Sequence, residues 1–454
     1  MPAIKRLWPT LFAREVGQAL GRENISRFVV STHTMALAHQ LDQWLAQGGQ
    51  CAEGLGELQE TYRNRLEPVA LPRRLMLRHQ RVQPEALQDA AELPALLEVA
   101  SDSDTPERDA AAIQKRVRQT LASVRENQSD DRLETYYGLL LLDGDRMGQW
   151  LSGENAISYR ESFHPQVQAG FDQHAKGQSQ IEKYGQQARA LSPGRHQAIS
   201  GALNDFSLTV VRHVVENEHL GRLIYAGGDD VFAMLPVADL LPAMQRLRHA
   251  YSGDDPAHEG GRDPRGLTLH KGFAILNGQL MRMMGTKATA SCGAVVAHHQ
   301  TPLSAVRREL AAAEQRAKNE GGRDAFSITI IKRSGGALRL TAKWGEPVAL
   351  LQDMQAYLAH PDVSRRAAYH CLQWLDAQEL PHPLPGDMLQ SLLTYQLDRQ
   401  ASGEIRNLAP DLAKCLSRLA LEQEKNGIDW LRHFISVAEF LAREVRHGGT
   451  GTRG

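Results

Sequence analysis

Two groups of carboxylates stand in contexts that suit a divalent metal. The first lies in Tyr225-Ala226-Gly227-Gly228-Asp229-Asp230, between the apolar runs Leu223-Ile224 and Val231-Phe232-Ala233-Met234-Leu235. Short apolar runs on either side of a glycine turn predict a β-hairpin with two adjacent carboxylates at its tip. Glycine accepts positive φ and has no Cβ, so Gly227 and Gly228 would let a polyphosphate approach the backbone closely. Mg2+ and Mn2+ take oxygen ligands and keep waters for substrate phosphates, which makes paired carboxylates on a rigid turn a suitable cradle. An isolated GGDD is as readily an ordinary polar turn.

The second group changes that balance. Tyr136 to Leu142 (YYGLLLL) is a continuous apolar run, the pattern of a buried strand. It ends in Asp143-Gly144-Asp145, before the polar segment Arg146-Met147-Gly148-Gln149-Trp150. Sheets with helical crossovers collect ligands at the C-terminal edges of their strands. DGD alone is more often a solvated turn. Together with the hairpin tip it offers three carboxylates, Asp143, Asp229 and Asp230, the donor set for two-metal phosphoryl or nucleotidyl transfer. This places strand Gly138–Leu142 beside Leu223–Ala226. Neighbouring strand residues face opposite ways, so Asp229 and Asp230 reach one metal only if the turn bends them. One direct ligand and one partner through the bend or a water are expected.

Those strands need a scaffold, and the composition permits a large one. The chain has 454 residues, 42% apolar and 23% charged, which fits a globular protein of two to four domains. Lys+Arg (52) and Asp+Glu (53) nearly cancel, so bulk charge gives no nucleic-acid footprint and any basic surface must be local. Cys51, Cys292, Cys371 and Cys415 are widely spaced, with no CxxC, against a disulfide framework or a zinc ribbon built from this chain alone. Met1 to Glu15 has no signal-type apolar region, and no run reaches transmembrane length, so a cytoplasmic location is expected. His298-His299 follows a strand and is expected to be a solvated loop pair.

Residues 1–130 are expected to be mostly helical, with helices at Ser31–Ala46 and Thr105–Asn127 and an acidic loop at Glu85–Asp104. The middle, 131–336, alternates strand and helix. Strand Gly138–Leu142 and a polar insertion to about Ala190 are followed by a helix from about Arg195 to Glu216, then the hairpin, then a helix at Ala238–Ala250. A polar loop at Gly253–Gly266 precedes strand Ala288–Ala297, helix Leu303–Asn319 and strand Ala325–Lys332. Stripped of insertions this is an α+β, ferredoxin-like βαββαβ plan. Gly335-Gly336 is expected to close it, with a helical domain over 337–447 and a disordered tail at 448–454.

A βαββαβ unit with an acidic strand end and a GGDD tip resembles a Palm domain of the nucleotide-cyclase and polymerase kind. More closely, the chain resembles the large, Palm-containing subunit of type III CRISPR–Cas RNA-targeting complexes of the Cmr (III-B) variety. The likeness rests on FVVSTHTMALA (Phe28 to Ala38), YGLLLLDGDRMGQWLSG (Tyr137 to Gly153), SPGRHQAISGALNDF (Ser192 to Phe206), GRLIYAGGDDVFAMLP (Gly221 to Pro236) and MGTKATASCGAVVAHHQTPLSAVRRELAAAEQRAK (Met284 to Lys318). GGDD is shared with many cyclases, whereas its combination with DGDRMGQWL and ATASCGAVVAHH is far more specific. An HD nuclease domain, a first Palm domain and a cysteine-bearing zinc module, usual at the start of such subunits, are not visible. The resemblance implies a chain that starts near the family's second half, matching its second Palm and C-terminal helical domain, as a split subunit, a shortened one or a fragment.

The resemblance implies synthesis of cyclic oligoadenylate from ATP, switched on by target RNA, with Mg2+ or Mn2+ on Asp143, Asp229 and Asp230. Its partners would be other Cmr-type subunits, guide RNA, target RNA and, if the subunit is split, a separately encoded N-terminal half. Lys318 resembles a cyclase lysine that contacts a triphosphate, though a lysine in a last helical turn is commonly just solvated. Ser192, His196 and Ser200 open the crossover helix, whose N-terminal amides suit an anion; Ser192 also suits a plain helix cap. A catalytically silent scaffold in the same complex and a free-standing GGDEF-like cyclase using GTP are the competing readings.

Overall fold

Strand pairing, more than helix placement, decides where the carboxylates end up. The computed structural model describes residues 30–66, 69–122, 132–154, 157–256, 266–364, 366–377, 385–423 and 426–445. The expectations for residues 1–15, 123–127 and 448–454 lie outside them.

The N-terminal part is helical: α1 Thr32–Ala46, α2 Leu55–Thr61, α3 Arg73–Arg78, α4 Pro84–Ala100 and α5 Glu107–Ala122. The Ser31 hydroxyl caps α1 by accepting from the Thr34 amide at 3.1 Å. Leu41, Trp44, Leu93, Ile113 and Val117 bury one another in a core of their own. The acidic loop expected at Glu85–Asp104 is instead mostly α4. Pro84 sits at the first helical position, where no amide is needed, and Pro94 lies inside the helix. Ala86, Ala90, Leu93 and Leu97 line one buried face and outweigh the acidic residues between them.

The central part holds β1 Tyr136–Gly144, then α6 Met147–Ser152, α7 Pro165–Ala175 and α8 Ser179–Gln186 inside the polar insertion. Helix α9, Pro193–Asp205, is prolonged to Glu218 through two π-helical stretches. Next come β2 Arg222–Gly227, β3 Asp230–Pro236, α10 Val237–Ser252, β4 Leu267–His270, β5 Phe273–Leu276, β6 Gln279–Arg282, β7 Ala290–His298, α11 Leu303–Asn319, β8 Ala325–Ile331 and β9 Ala337–Lys343. The main sheet runs β2-β3-β1-β7-β8-β9. Its first four strands follow the βαββαβ plan, with β1 antiparallel to both β3 and β7. Strand β8 adds parallel to β7, and β9 antiparallel to β8.

Two expectations need correction. Strand β1 does not lie beside Leu223–Ala226; β3 lies between them. The crossover through α9 carries the chain past the neighbouring position, and the hairpin then folds β3 back against β1. Strands β4 to β6 form a separate antiparallel sheet just after the expected polar loop. Its turns, Lys271-Gly272 and Asn277-Gly278, have positive φ at both residues, as two-residue hairpin turns favour.

Alternation along β1 divides the core. Leu140 and Leu142 join Val231, Phe206, Val210, Leu240 and Leu247 on the α9/α10 side. Tyr137 and Leu139 join Val295, Val306 and Leu310 on the α11 side. Gly335-Gly336 turns the β8–β9 hairpin, with φ of 91° and 80°, so the sheet continues to Lys343. Helices α12 Glu346–Ala359, α13 Ala367–Ala377, α14 Gly386–Arg399, α15 Ala409–Leu421 and α16 Gly427–Val445 follow. The indoles of Trp344 and Trp430 pin this part to the sheet by donating to the Ala290 and Thr341 carbonyls at 2.8 and 3.2 Å. All four cysteines are free thiols. No helix of the described residues is long and apolar enough to cross a membrane.

Candidate active site

The carboxylates of Asp143, Asp229 and Asp230 each offer an oxygen within 4.8 Å of the others. Register explains the first contact. Leu142 pairs with Val231, so the next step along the antiparallel ladder sets Asp143 beside Asp230. Asp229 joins them from the turn, because Gly227 already pairs with Asp230 and leaves only Gly228 and Asp229 as the loop. Gly228 has φ of 65°, which suits the first position of such a tight turn. The bend thus brings both hairpin carboxylates to one point.

The α11 side supplies a cation. A Cβ on Gly293 would lie 2.3 Å from the Glu314 amide nitrogen, so the missing side chain lets α11 settle directly on β7. Lys318, one turn beyond Glu314, then reaches the strand end and ion-pairs with Asp143 and, at 2.5 Å, with Glu314. Burial lowers the affinity of the Lys318 amine for its proton, but hydrogen bonds to these two carboxylates outweigh it and raise it overall. Lys318 is therefore a member of this cluster and not a solvated helix end.

Gly144 plays a matching part on the opposite face. A Cβ there would meet the Tyr251 hydroxyl at 2.3 Å and Asp229 Cβ at 2.9 Å. That hydroxyl is buried without a hydrogen-bond partner among the described residues. Burial, and then Asp229, Asp143 and Asp145, push its acidity far down.

Asp145 is 2% exposed and works differently from Asp143. Its carboxylate accepts from the hydroxyls of Thr289 and Ser291 at 2.8 and 2.7 Å and from the Asp324 amide at 2.8 Å. It ties the end of β1 to β7 and to the loop before β8. Sequence reasoning passed over this role, although Thr289 and Ser291 are polar residues in an otherwise apolar segment. Next to it opens a cavity of about 410 Å3, with Arg146, Lys287 and Arg323 among its lining. Ser192 caps α9, its hydroxyl accepting from the Arg195 amide at 3.3 Å. His196 and Ser200 are exposed on the following turns, and no hydrogen bond joins any of the three to the carboxylates among the described residues.

Electrostatics favour a cation here. The Asp230 carboxyl is pushed up to about 7 by burial, by its hydrogen bond with Asp143 and by the charges of Asp143 and Asp229, against Lys318. Asp229 is also raised, chiefly by burial. Three convergent oxygens, one still holding a proton near neutrality, fit a hard divalent ion that would displace that proton. The sign for stability follows. The folded chain keeps a proton that the unfolded chain loses near pH ~4, so this group costs stability as pH rises from about 4 to about 7. Millimolar Mg2+ should therefore raise the melting temperature most above about pH 7 and progressively less below it. In D230N the metal-free protein should melt higher than the parent at about pH 8, and Mg2+ should add little. A magnesium effect that stays constant from about pH 5 to 8 would contradict this.

His298-His299 departs from expectation. His298 is the last residue of β7 and is 4% exposed. The His299 ring lies 3.7 Å from that of His33 and 4.3 Å from that of His298. The pair is packed between α1 and the sheet because β7 runs on to Tyr136's partner position.

Comparison with known proteins agrees with this geometry. Residues 136–327 match the family described as Cas10/Cmr2, second palm domain. The CRISPR system Cmr subunit Cmr2 of Pyrococcus furiosus is 31% identical over 283 residues, 61% of this chain and 27% of that protein. The CRISPR system CMR subunit Cmr2 of Saccharolobus solfataricus is 34% identical over 113 residues, 25% of this chain and 10% of that protein. Among solved structures, a type III-B Cmr-beta complex bound to cognate target RNA contains a chain that matches with a TM-score of 0.52 at 14% identity. That match covers 88% of this chain and 47% of the other, and at that identity it speaks to the fold alone. The aligned part spans only about a quarter of the length of the Pyrococcus relative. With the palm-type sheet and its acidic tip in place, residues 136–327 are similar to the second palm domain of Cas10/Cmr2 proteins, and the chain is similar over part of its length to large Cmr2 subunits.

Proposed function

We propose that this palm is a metal-dependent nucleotidyltransferase site that makes cyclic oligoadenylate from ATP, within a Cmr-type effector complex activated by target RNA. The observation that carries the reading is the convergence of Asp143, Asp229 and Asp230 beside Lys318. Asp143, Asp229 and Asp230 would hold the metal, with Gly228, whose Cβ position is open, leaving the backbone free for phosphates and Gly227 reachable once the Tyr225 ring that covers it moves aside. A bound divalent ion would supply charge neutralisation at the α-phosphate and acidify the attacking ribose 3′-hydroxyl.

The chain's own residues do the positioning. Lys318 neutralises part of the carboxylate charge and would be the cation beside the metal-holding carboxylates that meets a nucleotide phosphate. Arg146, Lys287 and Arg323 in the adjoining cavity offer positive charge for the rest of a triphosphate. Asp145 keeps β1 and the β8 loop from spreading as the charges change. Ser192, His196 and Ser200 at the start of α9 would contact the nucleotide. Guide RNA, target RNA, the other Cmr-type subunits and a separately encoded N-terminal half, where one exists, are the partners of this reading. The Cmr2 relatives, named as subunits of CRISPR Cmr systems, support the assignment to a multi-subunit complex.

Labelled ATP and GTP, supplied to the chain with and without its cognate complex and target RNA, test it. ATP should be polymerised in the full mixture, with GTP incorporated at least about tenfold more slowly. That base preference rests on family resemblance. Equal use of GTP would favour a free-standing cyclase, and no product under any condition would favour a silent scaffold.

A further inference from the structure

The opposite end of the sheet carries a second polar cavity, of about 520 Å3. Tyr136, in its wall, is seven residues from Asp143 on β1, about 24 Å at ~3.4 Å per residue. The cavity opens where α1, α4 and α5 meet the start of β1, the end of β7 and α16. Its floor includes the clustered, mutually tilted imidazoles of His33, His298 and His299. Its rim carries Arg118, Arg132 and Arg333, all exposed, and half-buried Arg443 lies within. Only Glu134 and Glu444 oppose these four guanidinium groups in the lining.

The charges are incompletely matched. Arg443 pairs with Glu444 at 3.3 Å. Arg118 and Arg333 make no ion pair among the described residues. The Nδ1 atom of His299 is buried without a hydrogen-bond partner among them. His299 is held neutral, its pKa pushed down to about 2 by burial and by the positive character of His33, His298 and Arg333. His298 is lowered for the same reasons, burial first and then Arg333. The three imidazoles do not meet metal-holding spacing; the palm carboxylates are the cluster that does among the described residues. A concave site with the unmatched guanidinium groups of Arg118 and Arg333 at its mouth and ring nitrogens at its floor suits an anion with several acceptor oxygens. Leu37, Leu97 and Leu133 add apolar wall, and the volume falls in the range of small-ligand pockets.

We infer that this cavity binds a phosphate-bearing ligand of mononucleotide size, with Arg118 and Arg333 gripping the phosphate and the histidine floor completing its hydrogen bonds. The inference does not rest on the palm chemistry proposed above. Either can fail alone.

Calorimetric titration of the full chain in EDTA, which keeps metals off the palm carboxylates, tests it with inorganic phosphate, AMP and adenosine. AMP should bind more tightly than phosphate, and adenosine should not bind. The surface double variant R118Q/R333Q should weaken AMP by roughly tenfold or more, the scale of one lost charge-assisted hydrogen bond. D143A/D229A/D230A should leave AMP within about twofold. Melting curves establish that each variant is folded. A short RNA with a 5′-phosphate, compared with its 5′-hydroxyl form, separates the sources of the phosphate. A preference that R118Q/R333Q removes assigns it to an RNA end; no preference, with AMP binding intact, assigns it to a free nucleotide. The inference is overturned if AMP does not bind at millimolar concentration, or if R118Q/R333Q binds it as the parent does. Loss of AMP binding in the palm variant instead would overturn it too.

Discussion

Replacing Asp229 and Asp230 together with alanine should lower nucleotide polymerisation at least about a thousandfold while leaving the chain folded. The expected size follows from the chemistry. A metal site contributes several kcal/mol to phosphoryl-transfer transition states, and each ~1.4 kcal/mol is a factor of ten in rate. The expectation for the fold follows from the electrostatics. Both carboxyls are shifted upward, so they sit in the folded chain at a cost, and their loss relieves like-charge repulsion. The informative measurement pairs product formation with a melting curve on the same sample. Parental activity in a well-folded double variant would remove the metal assignment. Loss of activity together with loss of the melting transition would instead make the hairpin tip a structural element.

The second large effect concerns company. The purified chain alone should make at least about a hundredfold less product than the chain with a partner that supplies a facing palm surface. In-line attack needs two nucleotides held at once, and holding them supplies much of the rate. In the proposed reaction one palm would hold one of them. The outer side of the hairpin is consistent with a facing protein. Strand β2 is the edge of the sheet, and Ile224 and Tyr225 on it are 49% and 55% exposed. The irregularity between Leu223 and Tyr225 turns Ile224 outward. Robust ATP-dependent product from a preparation that light scattering identifies as monomeric would defeat this expectation. The same preparation should leave single-stranded DNA intact.

Much of this site was legible before any coordinates, because local patterns encode it. An apolar run ending in DGD predicts a strand with a carboxylate at its end, and GGDD between two apolar runs predicts a hairpin tip. What was not legible is non-local. Nothing in the residues of β1 says that β3, and not β2, will be its neighbour; that depends on how the α9 crossover returns. Lys318 was ambiguous for the same reason, since its partner Asp143 comes from a distant strand. Helix α4 and the β4–β6 sheet were missed for a different reason. Their signals, a face of Ala and Leu and an Asn-Gly turn, were present but surrounded by polar residues that outweighed them. Asp145 is marked in the sequence only by its place in Asp143-Gly144-Asp145. Its three hydrogen bonds depend on β7 being adjacent.

Gly293 gives this palm an unusual distribution of mutational tolerance. It carries no functional group, yet any side chain there must lift α11 from the sheet, and Lys318 rides on that helix. The accuracy of the charge arrangement is thus stored in a residue that chemistry would never nominate. In a library of random variants sorted for activity, position 293 should be as intolerant as the aspartates, and a catalogue of reactive side chains would not explain why.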